Sequence, residues 1–291
     1  MNGIIIVDKP AGWTSHDVIA KLRGALKTKR IGHGGTLDPM ATGVLPVFAG
    51  RATRAAEFCE NAEKEYIAGL RLGLVTDTQD ITGKTLSHNA VLSSADDLSA
   101  VIQRFLGAQK QTPPMYSAIK IEGKKLYELA RRGVDVPRPA RDIFVSSIEL
   151  LGGSDNDYSL RIACSKGTYV RTLCYDIGAT LGCGGTMSSL RRTMAGAFTI
   201  DMAHTLDEIL AAVDEGDIAK YVLPVDTIFS EYPAATLGGA ETRKIKNGAQ
   251  CRAGNLPDNK YRFYGPDNEF LSFCEVVNGN IKLIKSFFDI V

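Results

Sequence analysis

Long apolar runs are missing from this sequence. No stretch approaches the roughly 18 unbroken apolar residues that would cross a bilayer as a helix. The amino terminus, Met1 to Lys9, carries no basic leader, and its apolar run is too short for a secretory signal, so a cytoplasmic protein is expected. Cysteine is scarce and wrongly spaced for a scaffold. Cys59, Cys164, Cys174, Cys183, Cys251 and Cys274 never form C-x-x-C, which predicts free buried thiols rather than disulfides or a zinc knot. The histidines, His16, His33, His88 and His204, show no ligand spacing with Cys or carboxylates, so no metal site is expected. The glycine-rich stretch lacks both the G-K-[ST] ending of a P-loop and G-x-G-x-x-G spacing, and no G-x-S-x-G elbow occurs. Nucleotide cradles and serine hydrolases therefore have no support. Excess charge is lacking too: 34 Lys/Arg against 33 Asp/Glu give a net of +1, which excludes a uniformly basic coat.

What is present is charge in blocks. Residues 1–54 hold eight Lys/Arg against three Asp/Glu, and residues 104–141 hold nine against three. Residues 201–235 hold one against eight. Basic blocks brought together by folding would make a phosphate-binding face; solvated helix faces are the bland alternative. The 291 residues allow two domains, with no internal repeat.

Apolar spacing predicts a strand over 3–7, a helix from Ser15 to about Leu26, and a loop over 31–43. A strand broken by Pro46 follows over 44–48, then a helix over 51–59 and a strand over 65–72. Further along come a helix over 95–106, a strand over 115–121, a basic helix over 124–132 and a hairpin pairing 143–151 with 157–165. Val170, Leu173, Cys174, Ile177 and Leu181 line one helix face, and an acidic helix covers 206–213. Strands and helices mix without strict alternation, which favours an α+β fold. From about residue 235 short β-like stretches (261–264, 270–277, 281–287) predict a small barrel or sandwich.

Two segments can carry chemistry. In Arg30 to Gly43, Asp38 precedes Pro39, which biases it towards an extended backbone and fixes its direction. An Asx-turn is the competing use of such an Asp. In Cys164 to Leu173, a strand runs into a helix, and Tyr169 and Arg171 sit near the junction. If Arg171 met Asp38, the attraction would lower the carboxyl pKa. Tyr66 is either core or a stacking surface, and Pro113 to Arg132 interleaves Tyr116 and Tyr127 with Lys and Arg.

Taken in order, the segments Val7 to Ser15, Gly32 to Pro46, Lys64-Glu65-Tyr66, Leu72-Gly73, Thr76 to Asp80, Pro113 to Lys120, Gly123 to Arg131, Cys164 to Leu173 and Leu190 to Thr193 resemble the TruB-type pseudouridine synthase family. Gly34 is a departure, since that family usually has Thr there. The resemblance implies a mixed, mainly antiparallel sheet flanked by helices over residues 1–232, with an RNA-contacting insertion at about 108–141. The resemblance weakens after about residue 200, and a small β-rich, PUA-like module over 233–291 is expected mainly from its size and position. The implied activity is isomerisation of uridine 55 in the transfer RNA T-loop to pseudouridine, needing no cofactor or metal. Asp38 is implied as nucleophile or C2′ base, Arg171 as its partner, and Tyr169 as participant in C5 proton removal. His33 would hold the RNA loop open, Tyr66 stack on the flipped uracil, and Leu190 wall the pocket. Lys9, Lys120, Lys124, Lys125, Arg131, Arg132 and Arg192 are implied phosphate contacts. The implied partner is the tRNA T-stem-loop, met by a monomer without a protein helper. Two other readings stay open at this point: a non-catalytic RNA binder, and a guide-RNA-dependent isomerase acting on ribosomal RNA.

Overall fold

The structure, a computed structural model, describes all residues except Ala118, Glu122, 289–291 and the Lys125 side chain. In chain order the first half comprises β1 (Gly3–Lys9), α1 (Ser15–Ala25), β2 (Ile31–His33), β3 (Thr42–Ala49), α2 (Ala56–Asn61), β4 (Lys64–Leu72), β5 (Leu74–Thr76), β6 (Thr85–His88), α3 (Ala95–Ile102), β7 (Gly107–Gln111), β8 (Lys120–Ile121), β9 (Lys124–Lys125) and α4 (Leu126–Ala130). The second half comprises β10 (Arg141–Ser154), β11 (Asp157–Cys164), α5 (Val170–Thr180), β12 (Gly185–Ala195), β13 (Phe198–Thr199), β14 (His204–Thr205), α6 (Leu206–Asp214), β15 (Ala234–Thr236), α7 (Gly239–Lys246), β16 (Cys251–Arg252), β17 (Asn259–Tyr264), β18 (Phe270–Val277) and β19 (Asn280–Ser286).

One ten-stranded mixed sheet, mainly antiparallel, runs β14-β1-β3-β12-β4-β11-β10-β7, with β2 on β3 and β13 on β12. This is the expected α+β architecture, a mixed, mainly antiparallel sheet flanked by helices. Helices α3 and α5 cover one half through Leu98, Ile102, Leu173 and Ile177. Helices α1 and α6 cover the other through Val18, Leu22, Leu206 and Ile209. The start of α1 is set by Thr14 rather than Ser15: Thr14 and Asp17 form a reciprocal capping box, worth about 0.5–2 kcal/mol. Ser15 is buried instead and turns to the active-site loop.

Several sequence expectations need correction. Pro46 does not break β3. Its carbonyl accepts from Gly34 N at 2.9 Å, so its missing donor faces the gap between the β12 and β2 pairings, where no ladder bond is lost. The predicted 31–43 loop contains β2, and the 51–59 helix is a 3-10 segment followed by α2. The 115–121 strand shrinks to β8 and the 124–132 helix to α4, because Pro113 and Pro114 leave a turn-rich segment. The largest omission is β12, which pairs with β4 from Gly185↔Leu72 to Ala195↔Lys64 and touches β3 in parallel. Its Ser188-Ser189 and Arg191-Arg192-Thr193 runs hide any apolar alternation, because a central strand here buries an arginine.

The second sheet, β15-β17-β18-β19-β16, lies wholly within 234–286 and gathers its own core around Phe263, Leu271, Cys274 and Val276. It is the expected β-rich module, although α7 was missing from the expectation. Phe273 of this sheet stacks on Phe229 at 4.3 Å and meets Phe58 edge-on at 5.8 Å. An aromatic cluster thus joins it to the larger sheet.

Candidate active site

Asp38 sits in the turn between β2 and β3, and that turn is tied down from three sides. Ser15 Oγ accepts from Leu37 N at 2.9 Å, Gly12 N donates to Pro39 O at 2.8 Å, and Ala41 N donates to Asp38 O at 3.0 Å. Lys9 Nζ adds a bond to Pro39 O at 3.3 Å while also holding Pro10 O and Trp13 O. Among the described residues, no neighbouring backbone N–H reaches the Asp38 carboxylate, so the Asx-turn alternative is set aside. Its side chain, 35% exposed, faces Arg171 instead, with Nη2 to Oδ2 at 3.4 Å.

Arg171, on the first turn of α5, is 5% exposed and acts as a hub. Its Nη2 donates to Tyr116 O at 2.7 Å, its Nη1 lies 3.5 Å from Asp80 Oδ2, and its guanidinium sits 5.7 Å from the Tyr169 ring centroid. Asp80 is buried and takes bonds on Oδ1 from Thr78 Oγ1, Thr82 N and Thr82 Oγ1. Asp80 lay within a segment noted in the sequence, but nothing in its spacing announced a contact with Arg171 some ninety residues on. Gln111 was missed likewise. Its side chain accepts from Tyr169 N at 2.8 Å and donates to Tyr169 O at 3.1 Å, fixing the residue that begins α5.

The electrostatics correct one expectation. Burial pushes the Asp38 carboxyl above its usual range and Asp80 adds to that; Arg171 and Lys9 pull it back without cancelling the rise. Arg171 therefore limits the shift rather than depressing the pKa. Burial raises the Tyr169 phenol, with Asp38 adding and Arg171 opposing, so it is neutral near pH 7. His33, at the end of β2, is lowered to about 4 by burial, with His16 and Arg192 adding, and is likewise neutral. Its Nδ1 accepts from Gly35 N at 3.3 Å, and its ring meets that of His16 edge-on at 5.4 Å.

Tyr66 and Leu190 lie on one face of the sheet, since Tyr66 pairs with Arg192 and Ala68 with Leu190. Both pack into the cluster that includes Leu37 and Ala41, the residues flanking the Asp38 turn. Tyr66 is half-buried and Leu190 8% exposed.

Lys9 and Arg192 are not phosphate contacts. Lys9 is fully buried on three carbonyls, and burial lowers its pKa to about 8 against the pull of Asp38. Arg192 is 1% exposed and donates to Val44 O at 2.7 Å and Gly35 O at 3.1 Å. Lys120, Lys124, Arg131 and Arg132 are exposed on the insertion, where Arg131 lies over the Tyr127 ring at 5.5 Å. The Lys125 side chain lies outside the described residues. Gly34 also has a structural cause: a Cβ there would fall 2.7 Å from Cys59 Cβ and Sγ and 2.9 Å from Phe48 Cε2. Packing against α2 and β3 excludes the threonine.

All six cysteines are buried and unbridged. Among the described residues no three His, Cys, Asp or Glu side chains gather as a metal site, and no helix is long and apolar enough to cross a membrane. A cleft of about 790 Å³ between α5 and the insertion is lined by Thr172, Tyr175 and Asp176 together with Pro113 and Tyr116; neither Asp38 nor Arg171 lines it.

Comparison with known proteins identifies the family. Residues 23–170 match the TruB family pseudouridylate synthase N-terminal domain, and residues 171–230 match the tRNA pseudouridylate synthase B C-terminal domain. The chain is 41% identical to a tRNA pseudouridine synthase B of Alkaliphilus oremlandii, covering 99% of each. It is 44% identical to one of Syntrophomonas wolfei, covering 96% of this chain and 95% of the other. Among solved structures, a chain of a Cbf5-Nop10-Gar1 complex aligns with TM-score 0.76 and 27% identity over 99% of this chain and 85% of that one. By sequence and by fold, the chain belongs to the TruB family of pseudouridylate synthases.

Proposed function

We infer that this chain isomerises uridine 55 in the T-loop of tRNA to pseudouridine, with Asp38 as the reacting group. The carrying observation is the pairing of a partly exposed carboxylate with a buried guanidinium on a turn braced from three sides. In the reaction the N1–C1′ bond breaks, the uracil turns, C5 bonds to C1′, C5 loses a proton and N1 gains one. Ionised Asp38 serves either as nucleophile at C1′ or as base at C2′, and Arg171 holds it charged once RNA closes the pocket.

Extruding the base costs a few kcal/mol. Stacking on Tyr66 returns roughly 1–3 kcal/mol. Neutral His33 fills the place the base vacates, and Leu190 walls the pocket. Tyr169, a neutral phenol beside Asp38, is placed to take part in removing the C5 proton. Lys120, Lys124, Lys125, Arg131 and Arg132, on the 108–141 insertion of the 1–232 catalytic domain, meet phosphates. The 233–291 module adds RNA contact. The protein works in the cytoplasm as a monomer, without guide RNA, protein helper, cofactor or metal.

The test is incubation of the purified protein with a bare T-arm hairpin, followed by mass labelling of pseudouridine. The parent converts one uridine per hairpin. Asp38→Asn lowers the rate by at least about 10³-fold, as loss of a reacting group does, while still folding and binding the hairpin. Normal product from Asp38→Asn would refute the assignment, and product only with added guide RNA would favour the guided isomerase.

A further inference from the structure

A second basic surface, unused by the mechanism, stands at the far end of α1. Between Val18 and Leu37 the sequence has no acidic residue but has Lys21, Arg23, Lys27, Lys29 and Arg30. All five are exposed, and none of their side chains forms a hydrogen bond or ion pair within the described residues. Several other surface cations are neutralised: Arg71 by Asp157 at 2.7 Å, Lys110 by Asp142 at 2.8 Å, Arg191 by Asp8 at 2.8 Å and Lys220 by Asp217 at 3.0 Å. Helix-end electrostatics explain Arg23, which lies in the last turn of α1. They do not explain Lys27, Lys29 and Arg30, which lie beyond the Leu26 cap.

These charges are presented on a fixed turn. Lys27 takes a left-handed backbone (φ 47°). Lys27 N bonds Gly24 O and Thr28 N bonds Arg23 O, each at 3.3 Å, and Gly50 N bonds Arg30 O at 2.8 Å. The tip also has a defined place relative to Asp38. Helix α1 begins at the pocket, where Ser15 bonds Leu37 and His16 meets His33. Its 11 residues carry the chain about 16 Å away at 1.5 Å per residue. The insertion begins within β7, at one edge of the sheet, whereas α1 packs on the half containing β1 and β3. Asp38 lies between the two.

We propose that the tip made by Lys21, Arg23, Lys27, Lys29 and Arg30 docks the phosphate backbone of tRNA outside the T-arm. This rests on the tRNA reading above. With the T-arm held between Asp38 and the insertion, a surface on the opposite half of the sheet meets the RNA that continues past the hairpin. A row of unneutralised, rigidly presented cations suits a polyanion read by charge rather than by base.

The experiment compares the parent with a Lys27→Gln, Lys29→Gln, Arg30→Gln triple variant on full-length tRNA and on the isolated T-arm hairpin. Both KM and the Kd from fluorescence anisotropy are measured at several salt concentrations. For full-length tRNA, KM and Kd rise about tenfold with kcat unchanged, and the log–log salt slope shrinks by about 2 to 3. For the hairpin both constants stay within about twofold, which also shows that the variant is folded. A Lys21→Gln, Arg23→Gln double variant moves the same constants in the same direction. Unchanged constants on both RNAs, or an equal rise on both, would overturn the proposal. Binding is read without turnover, so a parent that binds both RNAs but converts neither fails the functional reading separately.

Discussion

The floor beneath Asp38 and the 108–141 insertion are both rich in Lys and Arg, and they use them in opposite ways. On the floor, Lys9, Lys64, Arg171 and Arg192 are all at most 6% exposed. Each donates to main-chain carbonyls: Lys9 to three, Lys64 to those of Cys59, Glu60 and Ala62, Arg192 to two, and Arg171 to that of Tyr116. A glycine-rich turn leaves carbonyls without ladder partners, and a buried cation supplies several donors at once. On the insertion, Lys120, Lys124, Arg131 and Arg132 project into solvent. There a cation contributes long-range attraction and little rigidity. Residue type is shared; burial decides between scaffold and electrostatics.

Breaking the floor gives the largest expected effect. Lys9→Met or Arg192→Met leaves two carbonyls without their donor, Pro39 O keeping its bond from Gly12 N, for a loss of about 2–4 kcal/mol in unfolding free energy. Denaturant titration checks this, and the salt slope of RNA binding in the folded fraction stays at the parent value. A Lys9 variant with parental stability but a shallower salt slope would move that lysine to the other class.

Asp80→Asn sharpens the comparison inside the floor. Asp80 touches Arg171 and lies apart from Asp38 in the chain of contacts, so it acts by positioning. Small misplacement of a reacting group costs about 10- to 100-fold. The expected result is a kcat lowered by that factor with KM for RNA near the parent value. A rise in KM at constant kcat would instead make Asp80 part of the RNA surface.

The insertion offers the converse. Replacing Lys120, Lys124, Arg131 and Arg132 by Ala together changes unfolding free energy by less than about 1 kcal/mol. It raises KM about tenfold and takes about 3 off the log–log salt slope, at 0.7–0.9 per phosphate contact. A large drop in thermal stability would show these side chains to be scaffold after all.

The line between the two regions also marks what the sequence made legible. Periodicity located α1, β4, α5 and the β10–β11 hairpin, because each follows a single apolar face, and β1 showed as an unbroken apolar run, buried on both faces. It missed β12, whose Arg192 turns inward to bond Val44 and Gly35. A charged residue in a strand reads as solvent-facing until the carbonyls it serves are known, and those come from segments about 150 residues away. Lys9 misled for the same reason. Asp38, Tyr169 and Arg171 were legible as a set only through order and resemblance. Asp80 and Gln111 complete their arrangement through contacts that no local spacing encodes. Gly34 shows in the sequence only as a departure, because Phe48 and Cys59, which fill its side-chain space, come from later elements of the chain.

The mildest expected effect tests whether the floor buries Asp38 at a cost. The folded protein holds the Asp38 proton more tightly than the unfolded chain, because burial raises the carboxyl from 3.8. Below the unfolded pKa both states are protonated and nothing is lost. As pH rises through the folded pKa, the native state must ionise a group it disfavours, and stability falls. At pH 7 Asp38→Asn therefore unfolds at higher denaturant than the parent, and the gap closes as pH drops towards 3. In the parent, the acidic limb of kcat/KM reports the same group and lies above the ordinary carboxylate range. A limb at or below pH 4, or an asparagine variant less stable than the parent at pH 7, would show that Arg171 and Lys9 outweigh burial at this carboxylate. The floor would then stabilise the charge it exposes to substrate, instead of being strained by it.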